Sequence, residues 1–109
     1  MIYTTTETVP GKEIEAVLGI VNGNVVQSKH VGRDIMAGLK GIVGGELKGY
    51  TEMLMEARNI AVERLIEDAQ KLNADAIVGI RFTTSSVTDG ASEILVFGTA
   101  VKLQKITSI

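Results

Sequence analysis

YTEMLMEARNIAVERLIEDAQKL, residues 50–72, is the stretch on which the fold turns. At about 100° per residue, Glu52, Glu56, Asn59, Glu63, Glu67 and Gln70 fall on one face, and Leu54, Ala57, Ala61, Leu65, Ala69 and Leu72 on the other. This division predicts an amphipathic helix from Tyr50 to Leu72, roughly 35 Å long, with Thr51 or Gly49 as its cap. Asn73 suits the left-handed residue that closes such a helix. Met55, Val62 and Ile66 widen the apolar arc on one flank, so the helix is expected to touch more than one neighbour.

Working outward toward the N-terminus, Val31 to Val43 carries Ile35, Leu39 and Ile42 at helical spacing, which predicts a short second helix weakened by Gly38 and Gly41. Before it, the Val- and Ile-rich run from Ile14 to Lys29 reads as one long strand, with Asn22-Gly23 as a kink or bulge rather than a hairpin turn. Ile2 to Thr6 predicts a first short strand, closed by Pro10-Gly11. Toward the C-terminus, Ala76 to Thr84 and Glu93 to Lys105 predict an antiparallel hairpin with a loose tip over Ser86 to Ser92. In its first strand Ala76, Val78, Ile80 and Phe82 share the face expected to meet the helix. The second strand is apolar on both faces, with Leu95, Phe97, Val101 and Leu103 alternating with Ile94, Val96, Gly98 and Ala100. The sum is an α+β domain over residues 1–109: a sheet of three to four antiparallel strands on one long helix, with a short weak helix besides.

Composition limits the function. The chain has 109 residues, enough to bury a core without metal or disulfide staples. Its 11 Lys and Arg against 13 Asp and Glu give a net charge of −2, which offers no footprint for nucleic acid or an anionic membrane. The absence of cysteine excludes thiolate metal sites and cysteine nucleophiles. No basic segment followed by an apolar one opens the sequence, so a cytoplasmic location is expected.

One helix covers one face of a three- or four-stranded sheet, and the other face then lacks an intramolecular cover. A strip of Ile94 and Val96 beside the Val17 to Val26 strand is expected to stand open. It would exceed the contiguous apolar surface that a soluble monomer usually tolerates. Self-association is the expected remedy; the Val31 to Val43 helix, short and interrupted by glycine, is the competing lid.

Few residues suggest chemistry. His30 is the single histidine and reads as a strand-end surface residue. Met53 and Met55 lie about 200° apart on the helix, so they cannot chelate one ion together, and core packing is the better reading. Glu52 with Glu56 and Glu63 with Glu67 could hold a hard cation, but a solvated helix face accounts for them. Gly44 to Thr51 has the outer glycine spacing of a phosphate-binding loop, yet Tyr50 stands where that loop requires lysine. The helix start at Gly49 to Glu52 keeps only a weak capacity for a small anion. Arg58 projects into the apolar arc between Leu54, Ala61 and Leu65, where a guanidinium must be paired or reach an edge, with Glu46 or Glu93 as partner. It is either a structural ion pair or a ligand-binding arginine between subunits.

With Gly44-Gly45, Tyr50, Ala57-Arg58, the passage Asn73-Ala74-Asp75-Ala76-Ile77-Val78-Gly79-Ile80 and Gly98-Thr99-Ala100-Val101 in this order, the chain resembles the YbjQ-like family of small bacterial and archaeal proteins. The resemblance covers almost the full length. It implies a dodecin-subunit-like α+β fold assembled as a homopentamer. The family is described as heavy-metal-binding through a distant likeness to carriers that hold soft ions with paired cysteines, and this chain has none. The resemblance supplies no catalytic residues and no cofactor.

Three functional expectations follow. The leading one is a non-enzymatic homo-oligomer that binds a small ligand or metal ion at subunit contacts through Glu46, Tyr50 and Arg58, with itself as its main partner. The second is an enzyme whose site combines Arg58, His30 and a carboxylate such as Glu46 between chains. The third is a structural scaffold.

Overall fold

A computed structural model describes residues 1–28, 48–88 and 91–105. Its elements are β1 (Ile2–Tyr3), β2 (Lys12–Ser28), α1 (Lys48–Gln70), β3 (Ala76–Thr88) and β4 (Ala91–Lys105). The sheet runs β1-β3-β4-β2. The β2–β4 and β3–β4 ladders are antiparallel as expected, and β1 adds a short parallel pair through Ile2 and Tyr3 against Ala76 and Ile77. The sheet is therefore mixed, within the expected α+β class. The expected helix over Val31 to Val43 lies outside the described residues.

The long helix forms where its periodicity places it, two residues earlier at each end, so Gly49 and Thr51 sit within its first turn rather than at its cap. Asn73 takes φ 58°, and Ala74 N donates back to Ala69 O at 3.2 Å, closing the helix in the expected left-handed turn. Glu52, Glu56, Asn59, Glu63, Glu67 and Gln70 are all exposed. The buried strip is narrower than the apolar arc: Ala57, Ala61, Leu65 and Ala69 face the sheet, while Leu54, Met55 and Leu72 stand in solvent. Three alanines in four contact positions let the helix backbone lie close to the strands.

The close approach is made at Gly23. A Cβ there would collide with the carbonyl oxygen of Ala61 and lie 2.5 Å from the Leu65 nitrogen. The strand runs unbroken through Asn22-Gly23; its bulges fall instead between Ile14 and Ala16 and between Val17 and Gly19. Gly23 thus serves helix docking rather than a kink.

A bulge between Val78 and Arg81 corrects the expected faces of β3. Gly79 takes φ 63°, the left-handed region, and the extra residue reverses the alternation beyond it. Ile77 and Ile80 consequently pack under the helix with Val21, Ile94, Val96 and Ala100. Ala76 and Val78 turn to the opposite face, where Val101, Leu103 and Val9 of the N-terminal segment form a second small core. The strip expected to stand open, Ile94 and Val96, is buried beneath α1. The open apolar residues of the sheet face away from α1 come mainly from β2: Val17 is 68% exposed, Ile20 79% and Val26 57%, with Phe97 of β4 also exposed.

The junction between α1 and β3 is tied by Asp75. One of its oxygens accepts from Leu103 N at 2.8 Å and the other lies 3.5 Å from Lys102 Nζ, which itself donates to Asn73 O at 2.8 Å. The Leu103 amide, against an opposing desolvation effect and with a lesser contribution from the Lys102 charge, holds the Asp75 carboxyl below its ordinary pKa.

Candidate functional site

Of the three residues expected to bind ligand, only Arg58 has a described side chain; the side chain of Tyr50 and all of Glu46 lie outside the described residues, as does His30. Arg58 is exposed rather than lodged in the apolar arc: the helix buries Ala57, Ala61, Leu65 and Ala69 against the sheet, with Ile66 partly buried beside them. The expected partner Glu93 is engaged elsewhere: its Oε2 accepts from Asn24 Nδ2 at 3.0 Å. The arginine that does tie helix to sheet is Arg64, whose guanidinium donates to Asn24 O at 2.6 Å. Four residues on, Asp68 accepts from Asn22 N at 3.1 Å. Met53 is half-buried and Met55 exposed, and neither belongs to the two described core clusters.

The described concavity lies elsewhere. Because α1 rests mainly on β2 and β4, the β3 side of the helix-facing surface is left open along one flank of the helix. There a cleft of about 230 Å³ is walled by Tyr3, Thr4, Thr5, Val62, Ile80 and Phe82. A shallower hollow of about 460 Å³ continues past Tyr3 along Asn59, Val62, Glu63 and Ile66. The walls of the first are mainly apolar; the second, which Tyr3 also lines, adds one amide and one carboxylate. Such a groove suits a small, largely apolar group with one polar end. Its lining carries neither cysteine nor histidine. The N-terminal strand holds its place because Thr4 N donates to Ile77 O at 3.0 Å and Ile80 N to Thr4 O at 3.1 Å. The sequence signals Tyr3 and Phe82 only as strand residues; their meeting depends on β1 pairing with β3, which no local pattern encodes.

Residues 1–104 match the family described as "Putative heavy-metal-binding", the YbjQ-like proteins. The chain belongs to this family. Similar YbjQ-like relatives, each called a UPF0145 protein, come from Vibrio campbellii (73% identical over 94% of this chain and 99% of the relative), Colwellia psychrerythraea (70%, over 96% and 100%) and Thermotoga maritima (61%, over 97% and 100%). A crystal structure of a DUF74-family protein of unknown function from Pediococcus pentosaceus shares the fold, with a TM-score of 0.62 at 18% identity over 95% of this chain and 98% of that one. No helix among the described residues is long and apolar enough to cross a membrane.

The metal in the YbjQ-like family's description can be set against the donors present. Soft ions select thiolate and thioether ligands, and the whole chain has no cysteine. Among the described residues no three His, Asp or Glu side chains gather as a metal site. The paired glutamates of α1 stand exposed on its outer face. The described donor set therefore does not fit a soft heavy metal.

Proposed function

We propose that the protein is a non-enzymatic, homo-oligomeric module that takes a small ligand at the contacts between its copies. The observation that supports this reading is the sheet face away from α1, where Val17, Ile20, Val26 and Phe97 are exposed. Large apolar side chains open on one sheet face, here alternating with Asn22 and Asn24, mark a candidate interaction surface. A second copy of the chain is the economical cover, since homo-oligomers with closed symmetry are the common assembly. Five copies is the number the family resemblance implies. The cleft beside Tyr3 and Phe82, on the helix side of the sheet, offers an apolar berth that a neighbouring copy would have to close for the ligand to lie at a contact, and the exposed guanidinium of Arg58, without a partner among the described residues, offers an anionic group a binding partner.

Native mass spectrometry of freshly purified protein tests both halves. A closed assembly carrying retained small-molecule mass is the expected result. A stable single chain at micromolar concentration would overturn the assembly, and a bare assembly that takes up no small apolar or anionic probe would leave a scaffold in place of a binding module.

A further inference from the structure

β2 borders the sheet: all seventeen of its residues lie on an edge strand whose described pairing is with β4 alone. An edge of that length offers its outward N–H and C=O groups to any extended chain. Alternate residues of an antiparallel strand turn both backbone groups outward, and at the centre of β2 these are Asn22 and Asn24. Asn22 N donates to Asp68 Oδ2 at 3.1 Å, and Asn24 O accepts from the Arg64 guanidinium at 2.6 Å. Asp68 and Arg64 are four apart on α1 and so lie on the same side of it. They reach the strand edge because Gly23, between the two asparagines, lets the helix backbone cross β2 in contact.

We propose that Arg64 and Asp68 guard the edge of β2, holding one of the two donors and one of the two acceptors that Asn22 and Asn24 would offer an incoming strand. A strand docking antiparallel to β2 requires the Asn22 N–H and, two residues on, the Asn24 C=O; with both engaged, consecutive pairings each lose a bond. The flanks are defended differently. Toward Lys12 the two bulges break the even spacing of the edge. Toward Ser28 only four described residues remain, Val25 to Ser28. The centre is the stretch that needs closing, and two helix side chains of opposite charge close it. This role is independent of assembly through the sheet face away from α1, which is a different surface.

Amide exchange and aggregation kinetics on the intact protein test the guard, with Ile94→Val as a control that lowers stability away from the edge. Asp68→Ala should speed exchange at the Asn22 amide by about tenfold or more, whereas Asp68→Asn, which keeps an acceptor, should retain most of the protection. The Arg64→Met/Asp68→Ala double variant should form thioflavin-positive aggregates about tenfold faster than Ile94→Val. Unchanged exchange at Asn22, or aggregation no faster than the control, overturns the proposal. If the double variant does not fold, Arg64→Met, which keeps the apolar stem and loses the donors, decides the matter: it must out-aggregate the control or the guard is refuted.

Discussion

At Gly23 a single missing methyl group decides where the helix lies. A Cβ at that position meets backbone atoms of Ala61, Leu65 and Arg64, not the yielding tip of a side chain. The helix must lift for any larger residue, which loosens Ala57, Ala61 and Leu65 from the sheet at once. Gly23→Ala is expected to cost about 3 kcal/mol or more, at the upper end of overpacking effects, read as a fall in the urea midpoint with little change in slope. Asp75 sets a second expectation. Its folded pKa is lowered, chiefly by the Leu103 amide, so its contribution is present above the unfolded-state pKa and is lost as pH falls through the folded value. Thermal stability should therefore decline below about pH 4, and Asp75→Asn should flatten that decline while lowering Tm at neutral pH. Both residues are visible in the sequence only as turn-formers. Their roles depend on what lies opposite, Ala61 in one case and Leu103 in the other, and those partners are 38 and 28 positions away.

Among the elements, the helix was legible and the faces of the strands were not. A period of about 3.6 residues survives in sequence because every turn of α1 repeats the same choice between water and sheet. Strand alternation has no such redundancy: one inserted residue reverses everything beyond it. The bulge at Gly79 does this in β3, moving Ile77 under the helix and Ala76 and Val78 to the other side. The same error of face misplaced the open strip onto Ile94 and Val96, and the breadth of the apolar arc misplaced Arg58. The cleft was hidden for a topological reason, since Tyr3 reaches Phe82 only through a parallel pairing between segments more than seventy residues apart. Gly79 is testable as the pivot. Its φ of 63° disfavours a Cβ although space is open around it, so Gly79→Ala should cost about 1–2 kcal/mol by chemical unfolding. A larger loss, with altered fluorescence from Tyr3, would show that the face reversal itself had failed.

For the molecule as a whole, stability and assembly can be separated, because the residues proposed to join copies are not those that hold one copy together. Ile20 is 79% exposed in the lone chain and packs in neither core. Replacing it with lysine removes a strand-favouring side chain but no buried contact, so the unfolding free energy of a single chain should change by less than about 1 kcal/mol. At a contact between copies the same lysine brings an unpaired charge into an apolar interface, where the desolvation cost is several kcal/mol per contact and recurs at every contact of a closed ring. Ile20→Lys should therefore sediment as smaller species at concentrations where the unaltered protein remains assembled, with its far-ultraviolet circular dichroism preserved. Arg58→Ala provides the counterpart: exposed and carrying no described ion pair, it should keep the full copy number in native mass spectra and lose affinity for anionic probes. The two variants move opposite observables. If Ile20→Lys leaves the assembly intact, the copies meet elsewhere; if Arg58→Ala disperses it, the arginine belongs to the joint and not to the ligand.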